Sequence, residues 1–320
     1  LLYPWAVAAA AQGRVGGLGL GLLVVTAGLQ TLTFGTARRA AAATFYAPQV
    51  VVAQAVSPYQ YVEVVSSENE PYLYLNGLCH YGPSATNQLN HYLALWPAQR
   101  LGPQARAAGC VVLGAGSFVA PALTLQEGLD TTVIELDPEV VRLGKECFRE
   151  QWSSIDDLKR LTTVVGDARQ QLTRQSATGL IVVNLPTPYS LNVASLFTQE
   201  FFELARGNLV SGGQLSLFLG SPLRERLDTY EGAVIAALLQ VFPHVMAISS
   251  KTCDNTVVLA SEAPLGSAAE WRRHLRSQGQ VRFRILETDE LRALAASHGP
   301  ASRRDFRFCA ALNYEFWFGR

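Results

Sequence analysis

The sequence predicts a doubly wound α/β domain, and two observations carry that expectation. From Cys110 onward, short apolar runs (CVVL, TTVIEL, LTTVV, LIVVN, QLSLFL) alternate with amphipathic stretches such as PEVVRLGKECF and LFTQEFFELARGNL. Strands that are apolar on both faces and separated by helices belong to a parallel sheet covered on both sides. Strand-like pieces at HVMAIS and NTVVLA complete the sheet, with one antiparallel edge expected there.

Ahead of this domain, residues 50–76 hold short β-branched and aromatic runs (VVVAQ, YQYVEVV, YLYLNG) broken by SSENEP, the pattern of a small antiparallel sheet. The organisation that follows is a membrane helix or hairpin remnant at 1–37, a connector at 38–49, a small β domain with a linking helix at 50–100, the α/β domain at 101–262 and a C-terminal extension at 263–320. In that extension SAAEWRRHLRSQ and TDELRALAASHG read as helices.

Between Arg14 and Arg38 the chain is uncharged for about the length that a bilayer-spanning helix requires, so residues 15–36 are expected to form one apolar helix. The preceding LLYPWAVAAAAQ is too short to span alone and reads as the stump of an earlier helix. Arg38 and Arg39 against the single Arg14 favour a membrane location with the C-terminal domain on the cytoplasmic side.

Composition excludes some functions. The chain has 320 residues, 49% hydrophobic and 16% charged, enough to bury a sizeable core. Lys+Arg and Asp+Glu both total 26, so no basic field exists to gather nucleic acid; the partners expected are the membrane and a larger membrane assembly or a second copy. Five cysteines without CxxC pairs point to a reducing compartment and no metal, with Cys110 and Cys147 expected as buried apolar side chains.

The chemistry gathers at strand ends. In VVLGAGSFVAPALTL a strand runs into Gly114 and Gly116 and then a helix, a turn where backbone without side chains lets a ligand approach closely. The second strand ends in Glu135, about twenty residues on, where a carboxylate accepts both ribose hydroxyls. Asp137 reads as the cap of the next helix. After the third strand, Asp167 and the Ala168 backbone are placed to meet an adenine. The turn lacks the third glycine of a dinucleotide fingerprint, so an adenosine-type ligand is expected rather than a dinucleotide.

The order of SPYQ (57–60), LYLNG (73–77), LNHYLALWPA (89–98), VVLGAG, VIELDPEVV, DLKRLTTVVGDA, LIVVNLPTP and LFTQEFFELARGNLVSGGQLSL resembles the spermidine synthase (polyamine aminopropyltransferase) family, in particular bacterial forms fused behind membrane helices. The resemblance covers about residues 50–260. It implies a Rossmann-like S-adenosyl-cofactor-binding domain behind a small β domain, with Glu135 on the ribose, Asp167 and Ala168 on the adenine, and decarboxylated S-adenosylmethionine meeting a polyamine.

This chain departs from the family at the positions that handle charge. Ser117 stands where the family has the Asp that contacts the cofactor's amine, and Phe118 and Val119 replace the two glycines that follow. Asn184 and Thr187 stand at the two acids of the Asp-x-x-Asp-Pro loop, the first of which takes the proton from the attacking amine. His80 replaces a Gln, and Asn90 and Tyr92 flank His91 where the family has Tyr and Glu. Tyr59 and Tyr81 are further candidates for lining the site. An amine must be neutral to attack, so loss of a positioned carboxylate removes the base. The primary expectation is therefore a nucleoside-binding pseudoenzyme or scaffold. The alternatives are methyl transfer from S-adenosylmethionine, or an unusual aminopropyl transfer with His80 or His91 as base; methylthioadenosine is a further possible ligand.

Overall fold

The computed structural model describes residues 49–82, 89–148, 158–188, 191–220, 223, 227–250, 255–280 and 282–305. The chain divides into two compact units, residues 1–52 with 65–69 and residues 53–64 with 70–320. Every described residue of the candidate site belongs to the second.

Val50–Val56 (β1), Tyr61–Ser67 (β2), Glu70–Leu75 (β3) and Leu78–Tyr81 (β4) form a four-stranded sheet in that order. The expected antiparallel unit at 50–76 thus extends through Tyr81. The β3–β4 hairpin turns on Asn76 and Gly77, at φ 52° and 79°, the left-handed pair that a two-residue turn between twisted strands requires. Asn76 also accepts a hydrogen bond from the Tyr61 amide at 2.9 Å, which fixes the hairpin against β2.

The linking helix begins as a π-helical turn at His91–Leu95 and continues as α1 (Trp96–Gln99), followed by α2 (Pro103–Ala107). Then come β5 (Cys110–Leu113), α3 (Val119–Gln126), β6 (Thr131–Glu135), α4 (Pro138–Cys147), β7 (Leu161–Val165), α5 (Ala168–Leu172) and β8 (Thr178–Val183). The chain proceeds through α6 (Leu191–Ala194), α7 (Gln199–Gly207), β9 (Leu209–Gly220), α8 (Thr229–Val241), β10 (His244–Ser250), β11 (Asn255–Ser261), α9 (Ala268–Ser277), β12 (Phe283–Leu286) and α10 (Thr288–Ala295). The second sheet has the order β12-β10-β11-β9-β8-β5-β6-β7.

Strands β9, β8, β5, β6 and β7 are mutually parallel, as the alternation of strand and helix predicts. The expected antiparallel edge is present and has one strand more than the sequence suggested. β11 lies inside the sheet, antiparallel to β9 and to β10, and β12 closes the edge antiparallel to β10. A short connection between β10 and β11 forces them antiparallel, and the far edge of β10 is taken by a strand from the 263–320 extension.

Burial on both faces explains the continuous apolar runs. Along β5, Cys110 and Val112 join one core cluster, Val111 and Leu113 the other; along β8, Leu180 and Val182 face the first, Ile181 and Val183 the second. The first cluster is covered by α3, α4 and the π-helical turn through Val119, Leu143 and Leu93, and the second by α7 and α8 through Phe202 and Ile235. Cys110 is buried as expected, which raises its thiol pKa through desolvation. Cys147 is a correction: it packs at the margin of the first cluster and stays partly exposed, because it closes the last turn of α4.

The segment expected to form a membrane helix, residues 15–36, lies outside the described residues. Among the described residues, no helix is long and apolar enough to cross a membrane.

Phe118 holds the start of α3 in place. It sits at φ 63°, a backbone state that side chains rarely adopt, and is 1% exposed. Its ring occupies the room that Gly144 of α4 leaves open, since a Cβ there would come within 2.8 Å of the ring's Cδ2. Packing thus outweighs a backbone strain of order 1 kcal/mol. Phe118→Ala is expected to lower unfolding free energy by about 3–5 kcal/mol, measured by urea denaturation of the full chain; a change under about 1 kcal/mol would mean that the ring is not part of the core.

Candidate functional site

The turn after β5 is shaped by its glycines. Gly114 lies at φ 90°, and a Cβ there would overlap the backbone carbonyl of Asn184. Three strand ends are stitched together, with the Asn184 amide donating to the Leu113 carbonyl at 2.9 Å and the Gly114 amide donating to the Ile134 carbonyl at 2.9 Å. Gly116 lies at φ 51°; a Cβ there would meet His80 Nε2 at 3.1 Å and Asn184 Nδ2 at 3.6 Å. The Asn184 amide group also donates to the Gly114 carbonyl at 3.4 Å.

Glu135 ends β6 directly beside this turn. Its Oε2 accepts from the Ala115 amide at 2.8 Å and its Oε1 from the Asp137 amide at 3.0 Å. Burial raises its carboxyl pKa, and the amide hydrogen bonds oppose that rise. Each oxygen retains a lone pair, which leaves acceptor capacity for a ligand hydroxyl.

Asp137 is fully buried and committed to structure. Its Oδ1 caps α4 by accepting from the Glu139 amide at 3.0 Å, and its Oδ2 accepts from the Ser57 hydroxyl at 2.6 Å. The helix cap was legible in the sequence; the Ser57 partner was not, because nothing local connects it to a residue so far along the chain. Asp167 caps α5, accepting from the Gln170 amide at 3.0 Å, and Ala168 opens that helix.

The structure brings Gly114, Gly116, His80 and Asn184 together, with Glu135 under the same turn. Ser117, 4% exposed, continues the turn into Phe118. Thr187 faces the end of β9, where a Cβ on Gly220 would meet its hydroxyl at 3.4 Å. His91 belongs to another cluster, its ring stacked on Trp96 at 6.0 Å between centroids. Tyr81 is buried and packs edge-on against Phe148 at 5.4 Å, whereas Tyr59 is exposed. His80 is pushed down by desolvation to a pKa of about 4, so its imidazole is neutral at pH 7. No group of three or more His, Cys, Asp or Glu that suits a metal ion occurs among the described residues.

A doubly wound sheet with this turn, preceded by an antiparallel sheet, defines a Rossmann-like α/β protein of the spermidine synthase fold. A crystal structure titled spermidine synthase in complex with the transition state analogue AdoDATO superposes with a TM-score of 0.60 at 16% identity, covering 67% of this chain and 74% of that one. A probable spermidine synthase from Corynebacterium glutamicum gives 0.61 at 17% identity, covering 79% and 96%. At that identity the likeness speaks for the fold. Residues 123–250 match the spermine/spermidine synthase domain family. The polyamine aminopropyltransferase of Oceanobacillus iheyensis is 26% identical over 238 residues, 72% of this chain and 43% of that protein; that of Mycobacterium tuberculosis is 28% identical over 178 residues, 54% and 33%. The chain is similar to the spermidine synthase family in these matched residues and shares its fold. It spans less than half the length of these curated relatives.

Two outcomes follow from the site's chemistry. Glu135→Gln replaces one acceptor with a donor pointing at a backbone N–H, and is expected to lower stability by about 1–3 kcal/mol in urea titrations; an unchanged midpoint would show that the two amide bonds do not hold the turn. His80 has a folded pKa below its unfolded value of 6.5, so the stability it contributes is present above about pH 6.5 and is lost as pH falls towards 4. Its ring proton resonances should titrate near pH 4 in NMR spectra of the folded chain; a midpoint at or above 6.5 would contradict the desolvation of the ring.

Proposed function

We propose that this chain is a membrane-tethered adenosyl-nucleoside-binding domain of the spermidine synthase family that no longer transfers aminopropyl groups and serves a membrane assembly as a binding or scaffolding subunit. The observation that carries the reading is Asn184: the residue at the proton-accepting position is an amide whose NH2 is turned to the Gly114 carbonyl. Aminopropyl transfer forms a carbon–nitrogen bond as the carbon–sulfur bond breaks, the electron pair going to sulfur, and the amine nitrogen must lose a proton. An amide has no basicity to take it. Ser117 and Thr187 at the neighbouring family positions supply no carboxylate either.

Support for retained nucleoside binding comes from the glycine turn and from Glu135, whose carboxylate is held in place by two backbone amides. Support for tethering is the uncharged run between Arg14 and Arg38, of bilayer-spanning length. A second reading, aminopropyl transfer with His80 as base, is favoured by the approach of His80 Nε2 to Gly116. Against it stands the low pKa of His80, which makes the imidazole a weak acceptor for the proton of an ammonium that titrates near 10.

The full chain, assayed with decarboxylated S-adenosylmethionine and putrescine, is expected to form polyamine at least 10²–10⁴-fold more slowly than an enzyme with its general base. The triple variant Ser117→Asp, Asn184→Asp, Thr187→Asp is expected to gain product formation. Rapid polyamine synthesis by the unmodified chain overturns the proposal, and loss of that synthesis in His80→Ala would assign the proton transfer to His80.

A further inference from the structure

The C-terminal extension meets the linking helix along one line. Tyr92 donates its hydroxyl to Gln280 Oε1 at 3.0 Å, the Trp96 ring stands edge-on to His274 at 6.4 Å between centroids, and the Arg100 guanidinium lies over the Trp271 ring at 4.8 Å. Tyr92, Trp96 and Arg100 follow one another by about a helical turn, which sets them on one face of the linking segment. Their partners run the other way along the chain, Gln280, His274 and then Trp271. α9 therefore lies antiparallel on this segment, and the fully buried Trp271 and Leu275 fix it to the first core cluster.

The middle contact is the one able to change with pH. His274 meets two indoles edge-on, Trp96 across the seam and Trp271 on its own helix at 5.9 Å. Its Nε2 is buried and has no hydrogen-bond partner among the described residues. Trp96 Nε1 and Arg100 Nε are in the same condition, and both are donors, unable to accept from an imidazolium. Gln99 Oε1, also without a partner, belongs to a side chain turned to Glu127. The charges that act on the ring come from two elements. Arg100, at the end of α1, repels a second cation, whereas Glu127, at the end of α3, attracts one but is engaged by Gln99 Nε2 at 2.9 Å and by Arg106 at 3.9 Å. On α9 itself, Glu270 accepts from the Ser267 amide at 2.7 Å within a capping box, and β12 adds the apolar Phe283 and Ile285 to the same core. His91, stacked on Trp96 at 6.0 Å, is the other imidazole of the cluster.

We propose that His274 is a pH-sensitive latch by which the C-terminal extension grips the linking helix, closed while the imidazole is neutral and loosened when it takes a proton. A proton on the ring creates a buried charged donor without an acceptor and sets a second positive charge beside Arg100. Both penalties fall away when α9 lifts and water reaches the ring. Burial first, and then Arg100, hold the His274 pKa below its ordinary value, with Glu127 pulling the other way. The grip is therefore fully present above about pH 6.5 and weakens as pH falls through the folded value. Trp271 and Leu275 keep the helix anchored, so acid raises how often α9 opens and does not unfold the extension.

Hydrogen–deuterium exchange of the full chain, corrected for the intrinsic pH dependence of exchange, tests this between about pH 8 and about pH 5, the range in which imidazoles charge. Peptides covering residues 268–280 and 91–100 are expected to lose protection several-fold on acidification, while β5 and β8 keep theirs. His274→Phe and His274→Gln, neither of which can take a proton, are each expected to abolish the change, and His91→Phe to leave it in place. An equal loss of protection throughout the parallel sheet would assign the effect to global destabilisation through His80 and overturn the latch. So would a response that survives both His274 variants, one that disappears in His91→Phe, or no response in the unmodified chain.

Discussion

The candidate site depends on one buried carboxylate held by two backbone amides. Glu135 takes the Ala115 amide from the turn after β5 and the Asp137 amide from the start of α4, so a single side chain sets the spacing between the ends of adjacent parallel strands. Backbone donors at loop ends have no partner in the sheet, and burial without one is unfavourable. Glu135 satisfies them, and that role keeps the acid useful to the fold whatever binds beside it. Asp137 extends the arrangement, because its fully buried carboxylate links the cap of α4 to the Ser57 hydroxyl. This part of the candidate site is therefore built from interactions that also stabilise the domain.

The other half is not coupled in this way. Asn184 makes one long side-chain hydrogen bond to Gly114, and Thr187 faces Gly220 across van der Waals distance. Neither side chain holds the sheet together, so exchanges among acid, amide and hydroxyl at these positions leave it intact. This asymmetry gives a physical reason why the fold and the glycine turn can persist whatever residues stand at positions 184 and 187.

Much of the sheet could be read from the sequence, since β5 to β8 are buried on both faces and leave unbroken apolar runs. The parts that could not be read have local causes. Leu78–Tyr81, with Cys79 exposed and His80 partly buried, does not look like a strand until Asn76 and Gly77 are seen to turn it back onto β3. The length of β9 is masked by the VSGG run, where Gly212 at φ 75° continues the strand through a kink. The interior position of β10 depends on β12, a four-residue strand with no signal beyond FRIL. Within the site, Gly114, Gly116 and Glu135 follow from strand–turn–helix logic. The meetings of His80 with Gly116 and of Ser57 with Asp137 are tertiary contacts that no spacing rule encodes.

The mixed direction of the large sheet has a consequence for how the chain assembles. In the parallel centre Cys110 pairs with Leu180 and Thr131 with Leu161, so two complete crossovers must be closed before those ladders form. At the other side β10 and β11 pair as neighbours, Ser250 with Asn255, and require only a short loop. Loop closure is slow for distant partners and fast for near ones. The C-terminal hairpin is therefore the part of the sheet able to pair quickly, and it offers β9 a finished edge. The half that carries the glycine turn depends on the more distant closures.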